Sequence, residues 1–331
     1  MPVVHATLIR IAPLVAAAVA CGGTDPEPEP EEDRPPPSAG HAMVYHDGLS
    51  AVLMVNTGLG ASTSPPSSTH TILWRWTGTS WESLDANGPP IRNLGGVAYD
   101  SDRDVLVLFG GTYDLALSYD ETWEWRASTG WQQRNVPGPG RRDHTEMAYD
   151  PETRKVVLFG GQIGIDSFPS DTWLWDGNTW ERIEAPGPPG RVHHAMALDP
   201  VSRKVILFGG YAPDESRDLG DTWTWSGSTW EQGAPVIATR THARMVGTDD
   251  AVLLIGGATD GGAPTRVSRR TGGAWVEEVA TAPPLPRALT AVAYNPVTRS
   301  VLLFGGARLD SGTLLADTWE LLNGSWQRRD P

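Results

Sequence analysis

Lys204-Val-Ile-Leu-Phe-Gly-Gly210, then Asp221-Thr-Trp-Thr-Trp225, then Trp230: this stretch decides the fold, because the chain repeats it. Gly-Gly doublets close apolar runs at 110–111, 160–161, 209–210, 256–257 and 305–306, with spacings of 50, 49, 47 and 49 residues. Four of them follow Leu-Phe, at Phe109, Phe159, Phe208 and Phe304. A second series reads Glu121-Thr-Trp123-Glu-Trp125, Asp171-Thr-Trp173-Leu-Trp175, Asp221-Thr-Trp223-Thr-Trp225 and Asp317-Thr-Trp319. A third is a single Trp at 81, 131, 180, 230, 275 and 326. Those six make six repeats, the first with a degenerate doublet at Val55-Asn56. Periods of this size signal a stacked or circular array of one supersecondary unit.

Each repeat carries four short apolar runs separated by turn signals. In the fourth repeat they are Ala195–Leu198, Val205–Phe208, Thr222–Trp225 and Thr229–Ile237. Alternation makes them strands, and Asp199-Pro200 opens a hairpin turn. Four antiparallel strands repeated six times predict an all-β, six-bladed β-propeller. The period, the double glycine and the late Trp resemble kelch repeats over about residues 39–331. Two indoles spaced by two residues, as in Trp173-Leu-Trp175, share one blade face and can bury against a neighbouring blade. The glycines are expected to end strand two where a side chain would not fit. The repeats run from His41–His46 to Trp326–Arg329, so blade six should close on blade one without an exchanged strand.

The first 38 of the 331 residues read differently. Arg10, an apolar run from Ile11 to Ala20 and small residues before Cys21 read as an export signal over 1–20. Ala18-Val-Ala-Cys21 resembles a bacterial lipobox, with Ala18 in place of the usual Leu. The resemblance implies cleavage before Cys21, lipidation of its sulfur and an anchor in the bacterial cell envelope. Gly22 is compatible with the outer membrane. Residues 21–38, including TDPEPEPEEDRPPPS, are expected to be an acidic, Pro-rich linker.

Composition narrows the function. The net charge of −14 argues against a nucleic-acid partner, since no basic excess meets the phosphates. Of 26 basic residues only Lys155 and Lys204 are lysines. Cys21 is the sole cysteine, which excludes a disulfide framework and multi-cysteine zinc sites. It also excludes the copper-radical chemistry of galactose oxidase, a kelch-type propeller whose site needs a Cys–Tyr cross-link inside the fold. Asp176-Gly-Asn-Thr-Trp180 resembles a sialidase Asp box only loosely, one residue short, and lies on a turn. No Gly-x-Ser-x-Gly, phosphate loop or His-Glu-x-x-His occurs. No cofactor or metal is implied.

Aligning the first strands on Met43, Val97, Met147, Met196, Met245 and Val292 places Ser38, Arg92, Arg142, Arg191, Arg240 and Arg287 five residues earlier. Two residues after these Arg come Leu94, His144, His193, His242 and Leu289. The Arg, the loops after the double glycines and the Asp-Thr-Trp acids should share one rim. The candidate ligand-binding residues are therefore Arg92, Arg142, His144, Arg191, His193, Arg240, His242 and Arg287. An Arg ring suits an anion held bidentately. The same Arg could instead pair with Glu121, Asp171, Asp221 and Asp317 as a structural ring. In repeat five, Arg266-Val267, Ser268 and Arg270 stand at the Asp-Thr and two Trp stations. The seam there is expected to open or shift register, by drift or as a partner-binding edge. The reading is a monomeric, non-enzymatic binding scaffold taking a protein or glycan on one rim and touching the membrane through its anchor alone. The alternative is a secreted carbohydrate-active enzyme with its site in the funnel.

Overall fold

The computed structural model describes residues 34–56, 69–113, 117–233, 238–258 and 266–329. The export signal, Cys21 and most of the linker and of the loop Thr57–Thr71 lie outside them. Within them are six antiparallel sheets whose strands are hydrogen-bonded in chain order, so the fold is a six-bladed β-propeller. Blade three is typical, with strands Glu146–Asp150, Lys155–Phe159, Thr172–Trp175 and Trp180–Ile183. A two-residue fifth strand, Arg287–Ala288, adds to blade six. The first strands, beginning with Ala42–His46 and ending with Ala291–Asn295, neighbour one another around the axis from blade one to six and back. The ring closes without strand exchange.

The repeated letters are seam contacts. Strand-three and strand-four Trp of one blade pack on strands one and two of the blade before it. Trp175 and Trp180 of blade three lie in one cluster with Ala98, Val105, Val107 and Phe109 of blade two. Each buried indole contributes about 2–3 kcal/mol. The Phe of Leu-Phe meets the next blade's strand-four Trp at ring-centroid distances of 5.2 Å (Phe109–Trp180) to 5.7 Å (Phe159–Trp230). Trp81 of blade one makes the same contact with Phe304 of blade six, at 5.7 Å.

The double glycines are dictated by close approach. Gly209 and Gly210 have φ of 61° and 96°, and a Cβ on either would fall 2.5–2.6 Å from the carbonyl oxygens of Arg240 and Val192. They do not always end strand two. In blades four and six the strand continues through them to Ala212 and Arg308, with a bulge at the doublet.

The propeller also begins earlier than residue 39. Ser38 is buried, its N–H donates to Leu315 O at 3.1 Å, and its carbonyl accepts from Gly306 N at 2.8 Å. Pro-rich composition suggested solvent, but the doublet of blade six needs a main-chain partner. In the four other seams that carry a doublet the Arg-bearing segment of the next blade supplies it, as Arg142 O does for Gly111 N at 2.9 Å.

Candidate binding rim and channel mouth

The five Arg stand on one rim, just before their first strands, and are 0–2% exposed. Their guanidinium groups point into their own blade. Arg191 donates from Nη1 and Nη2 to both oxygens of Asp221, at 2.7 and 2.8 Å, from Nη1 to Gly209 O at 2.9 Å and from Nε to Pro189 O at 3.1 Å. Arg142 and Arg287 grip Asp171 and Asp317 the same way. Arg92 reaches Glu121 at 2.6 Å and covers the Tyr119 ring at 4.0 Å. The Trp two residues after each acid donates its indole N–H to the same carboxylate, at 2.6–2.9 Å. Burial opposes ionisation of Asp171, Asp221 and Asp317, but these Arg and Trp donors outweigh it and hold the carboxyls below their ordinary value.

Four of these Arg therefore tie two blades together. The main chain of Arg142, Arg191, Arg240 and Arg287 bonds the preceding blade, and the side chain bonds its own. The ligand-facing role expected for these residues meets a physical obstacle: in blades two, three, four and six their donors, apart from Arg142 Nε, are already committed to acids and carbonyls beneath the surface.

The residues two positions on form an inner ring. Gly40, Leu94, His144, His193, His242 and Leu289 all have left-handed backbones, with φ of 53–74°. Main-chain bonds of 2.8–3.2 Å link them around the axis, from Gly40 N to Leu289 O, Leu289 N to His242 O, and His242 N to His193 O. On the other side His144 N donates to Leu94 O, and Leu94 N to Gly40 O. His193 stacks on His242 at 3.6 Å, and His144 meets His193 edge-on at 4.5 Å. Asp143 holds His144 Nδ1, and Thr241 Oγ1 lies 3.0 Å from His242 Nδ1. Burial pushes the His242 imidazole down to about 3 and His193 well below its ordinary value. Among the described residues no three His, Cys, Asp or Glu side chains are grouped to hold a metal ion.

Below this ring lies a pair that repeat alignment did not single out. Arg244 Nη1 donates to Glu146 Oε1 across the channel, and Arg244 Nε donates to Thr290 O at 2.9 Å. The other blades carry Ala42, Gly96, Ala195 and Ala291 at this station. Reading that column would have shown one acid and one base among four small residues. His144, His193, His242, Glu146 and Arg244 together fill the mouth, leaving room for about one water molecule. Three further histidines are buried, His41, His46 and His194. His41 and His194 sit edge-on to Phe304 and Phe159, and burial pushes both to about 3.

Blade five departs from expectation in a specific way. Its seam neither opens nor shifts: Arg270 pairs with Val252 and Trp275 in the register that Trp175 keeps with Val156 and Trp180. Its guanidinium, 11% exposed, donates to Asp199 of blade four at 2.7 Å. A buried charge is tolerated there because it is paired.

The solved structure described as "Structure of YjhT" is similar to this chain, with a TM-score of 0.68 and 14% identity, covering 90% of this chain and 99% of that one. At that identity the likeness speaks for the fold alone. It agrees with the sheet order: the chain is a six-bladed, all-β propeller. No protein-family model matches the sequence, and no curated protein matches it. Matches to 424 solved chains mean that the fold is common, and a common fold does not choose a function.

Proposed function

We propose that this chain is a non-enzymatic binding scaffold, a kelch-type propeller that takes a protein or glycan on the rim carrying its strand-two to strand-three loops. The carrying observation is what those loops display. Leu117 is 61% exposed and Ile165 76% exposed, beside the half-exposed Tyr113, in the loops of neighbouring blades two and three. Surface apolar side chains on rim loops of a rigid propeller are suited to recognition. A carbohydrate-active enzyme would need free carboxylates converging on the funnel. The acids nearest it are engaged: Glu121, Asp171, Asp221 and Asp317 by Arg and Trp, and Glu146 by Arg244.

Export, lipidation of Cys21 and attachment to the outer membrane of a bacterial envelope complete the proposal, on the strength of the apolar leader and the lipobox-like Ala18-Val-Ala-Cys21. The spacer would hold the rim off the bilayer. The test is capture from envelope extracts and a glycan panel by the full chain and by a Tyr113→Ser, Leu117→Ser, Ile165→Ser variant. A ligand held by the wild type and lost by an equally stable variant supports the reading. Retention by the variant, or turnover of a panel glycan, overturns it.

A further inference from the structure

In four blades the rim Arg meets a carboxylate at the start of strand three, Glu121, Asp171, Asp221 or Asp317. The backbone marks that station: the first glycine of the doublet donates its N–H to the acid's own carbonyl, Gly110 to Glu121 at 3.1 Å and Gly160 to Asp171 at 3.2 Å. In blade five Gly256 makes this bond with Arg266, at 3.0 Å. A cation occupies the acid's place, and Ser268 replaces the Trp that would hold it.

Arg240 is left short of partners. Glu277, on strand four opposite Ser268, accepts one bond from Arg240 Nη2 at 3.0 Å and another from Ser268 Oγ at 2.9 Å. The residues opposite the corresponding Trp in the sister blades are Gln133, Arg182, Gln232 and Arg328. An acid has thus moved to strand four, yet it does half the work. Nε and Nη1 of Arg240 have no hydrogen-bond partner among the described residues, although the residue is 2% exposed. In Arg142, Arg191 and Arg287, Nη1 serves both a glycine carbonyl and the acid. Burial, with Arg266 adding to it against Glu277, lowers the pKa of Arg240. A buried guanidinium with idle donors beside a second cation is costly unless something answers it.

We propose that blade five binds an exogenous carboxylate between Arg240 Nη1 and Arg266, at the station that Asp171, Asp221 and Asp317 fill in the sister blades. The ligand class is an acidic group with two coplanar oxygens, as on an acidic peptide side chain or a sugar acid. The station is reachable: the sister acids keep side-chain exposures of 11–25%, and Arg266 is exposed. This site deepens the rim-binding reading and rests on it for its biological use.

The test is saturation-transfer NMR on the full chain, with acetate and methyl phosphate as separate probes at constant ionic strength. Wild type should give a saturable acetate signal, stronger than that of methyl phosphate. Arg266→Asp supplies the missing acid from within, so acetate binding should fall about tenfold, the loss of a charge-assisted contact, and the melting temperature should rise. Arg266→Ala keeps the station open with one cation fewer, so acetate binding should weaken while persisting; this variant decides the matter if Arg266→Asp does not fold. Acetate binding unchanged in either variant overturns the proposal, as does a stronger methyl phosphate signal. A wild type that gives no saturable acetate signal also overturns it. Failure here while the rim still captures its ligand overturns this site and leaves the binding scaffold standing.

Discussion

Trp81 Nε1 donates to Thr318 Oγ1 at 3.0 Å, across the seam where blade one closes on blade six. The same bond joins Trp180 to Thr122, Trp230 to Thr172 and Trp275 to Thr222, at 2.8–3.0 Å. This explains the middle letter of Asp-Thr-Trp. The Asp serves the Arg of its own blade, and the Thr serves the Trp of the next.

Blade five carries Val267 instead of Thr, and the indole N–H of Trp326 in blade six is buried without a partner among the described residues. Val267→Thr is nearly isosteric and should supply the hydroxyl. We expect stabilisation of about 1 kcal/mol, the net worth of one buried hydrogen bond, read from the urea midpoint. Thr318→Val should cost about 1–3 kcal/mol by stranding Trp81. A destabilising Val267→Thr would show that the seam tolerates no hydroxyl there.

The channel pair predicts non-additivity. Arg244→Ala leaves Glu146 half-buried without its cation, and should cost about 3 kcal/mol. Burial already raises the Glu146 pKa, with Arg244 opposing that rise. Glu146→Ala with Arg244→Ala restores the small-residue pattern of the other four blades and should recover much of the loss. A double-mutant cycle measures the coupling; a coupling near zero would mean the pair is incidental.

Stability should decline with acid in two stages. His41, His194 and His242 titrate near 3 in the fold against an ordinary 6.5. Their folded pKa is depressed, so the unfolded chain binds more protons between those values. The fold therefore weakens as pH falls below about 6.5, with the loss complete near 3. Glu121, Asp171, Asp221 and Asp317, whose pKa values are also lowered, add a loss that starts below their ordinary carboxylate range. Melting temperatures from pH 7.5 to 4 should show the first stage, and His194→Gln should flatten it. A curve level down to pH 4.5 would contradict the buried-histidine account.

Six blades were legible because one seam recurs, its strand-four Trp six times and its Phe and Thr four times each. Phe159, Thr172, Trp175 and Trp230 are each the local end of a contact that recurs with the same partner types. The rim was legible too, but the role of its Arg was not, since Arg191 and Asp221 lie 30 residues apart and only geometry shows which of them faces solvent. Glu146 and Arg244, 98 residues apart, repeat nowhere. Arg270 looked like a broken seam because its partner Asp199 stands in another blade. Ser38 looked like linker because its neighbours are prolines, whereas its main chain completes blade six.

The central claim is that the rim Arg paired with strand-three acids, such as Arg191, fasten the propeller and leave recognition to the loops and to the open station of blade five. The most direct measurement is the equilibrium unfolding of Arg191→Ala in the full chain. The account predicts a loss of about 3–5 kcal/mol, because Asp221 is left without the partner that holds it ionised. A variant that unfolds with the wild-type midpoint would contradict it and return the ring to the role of a ligand-gripping surface.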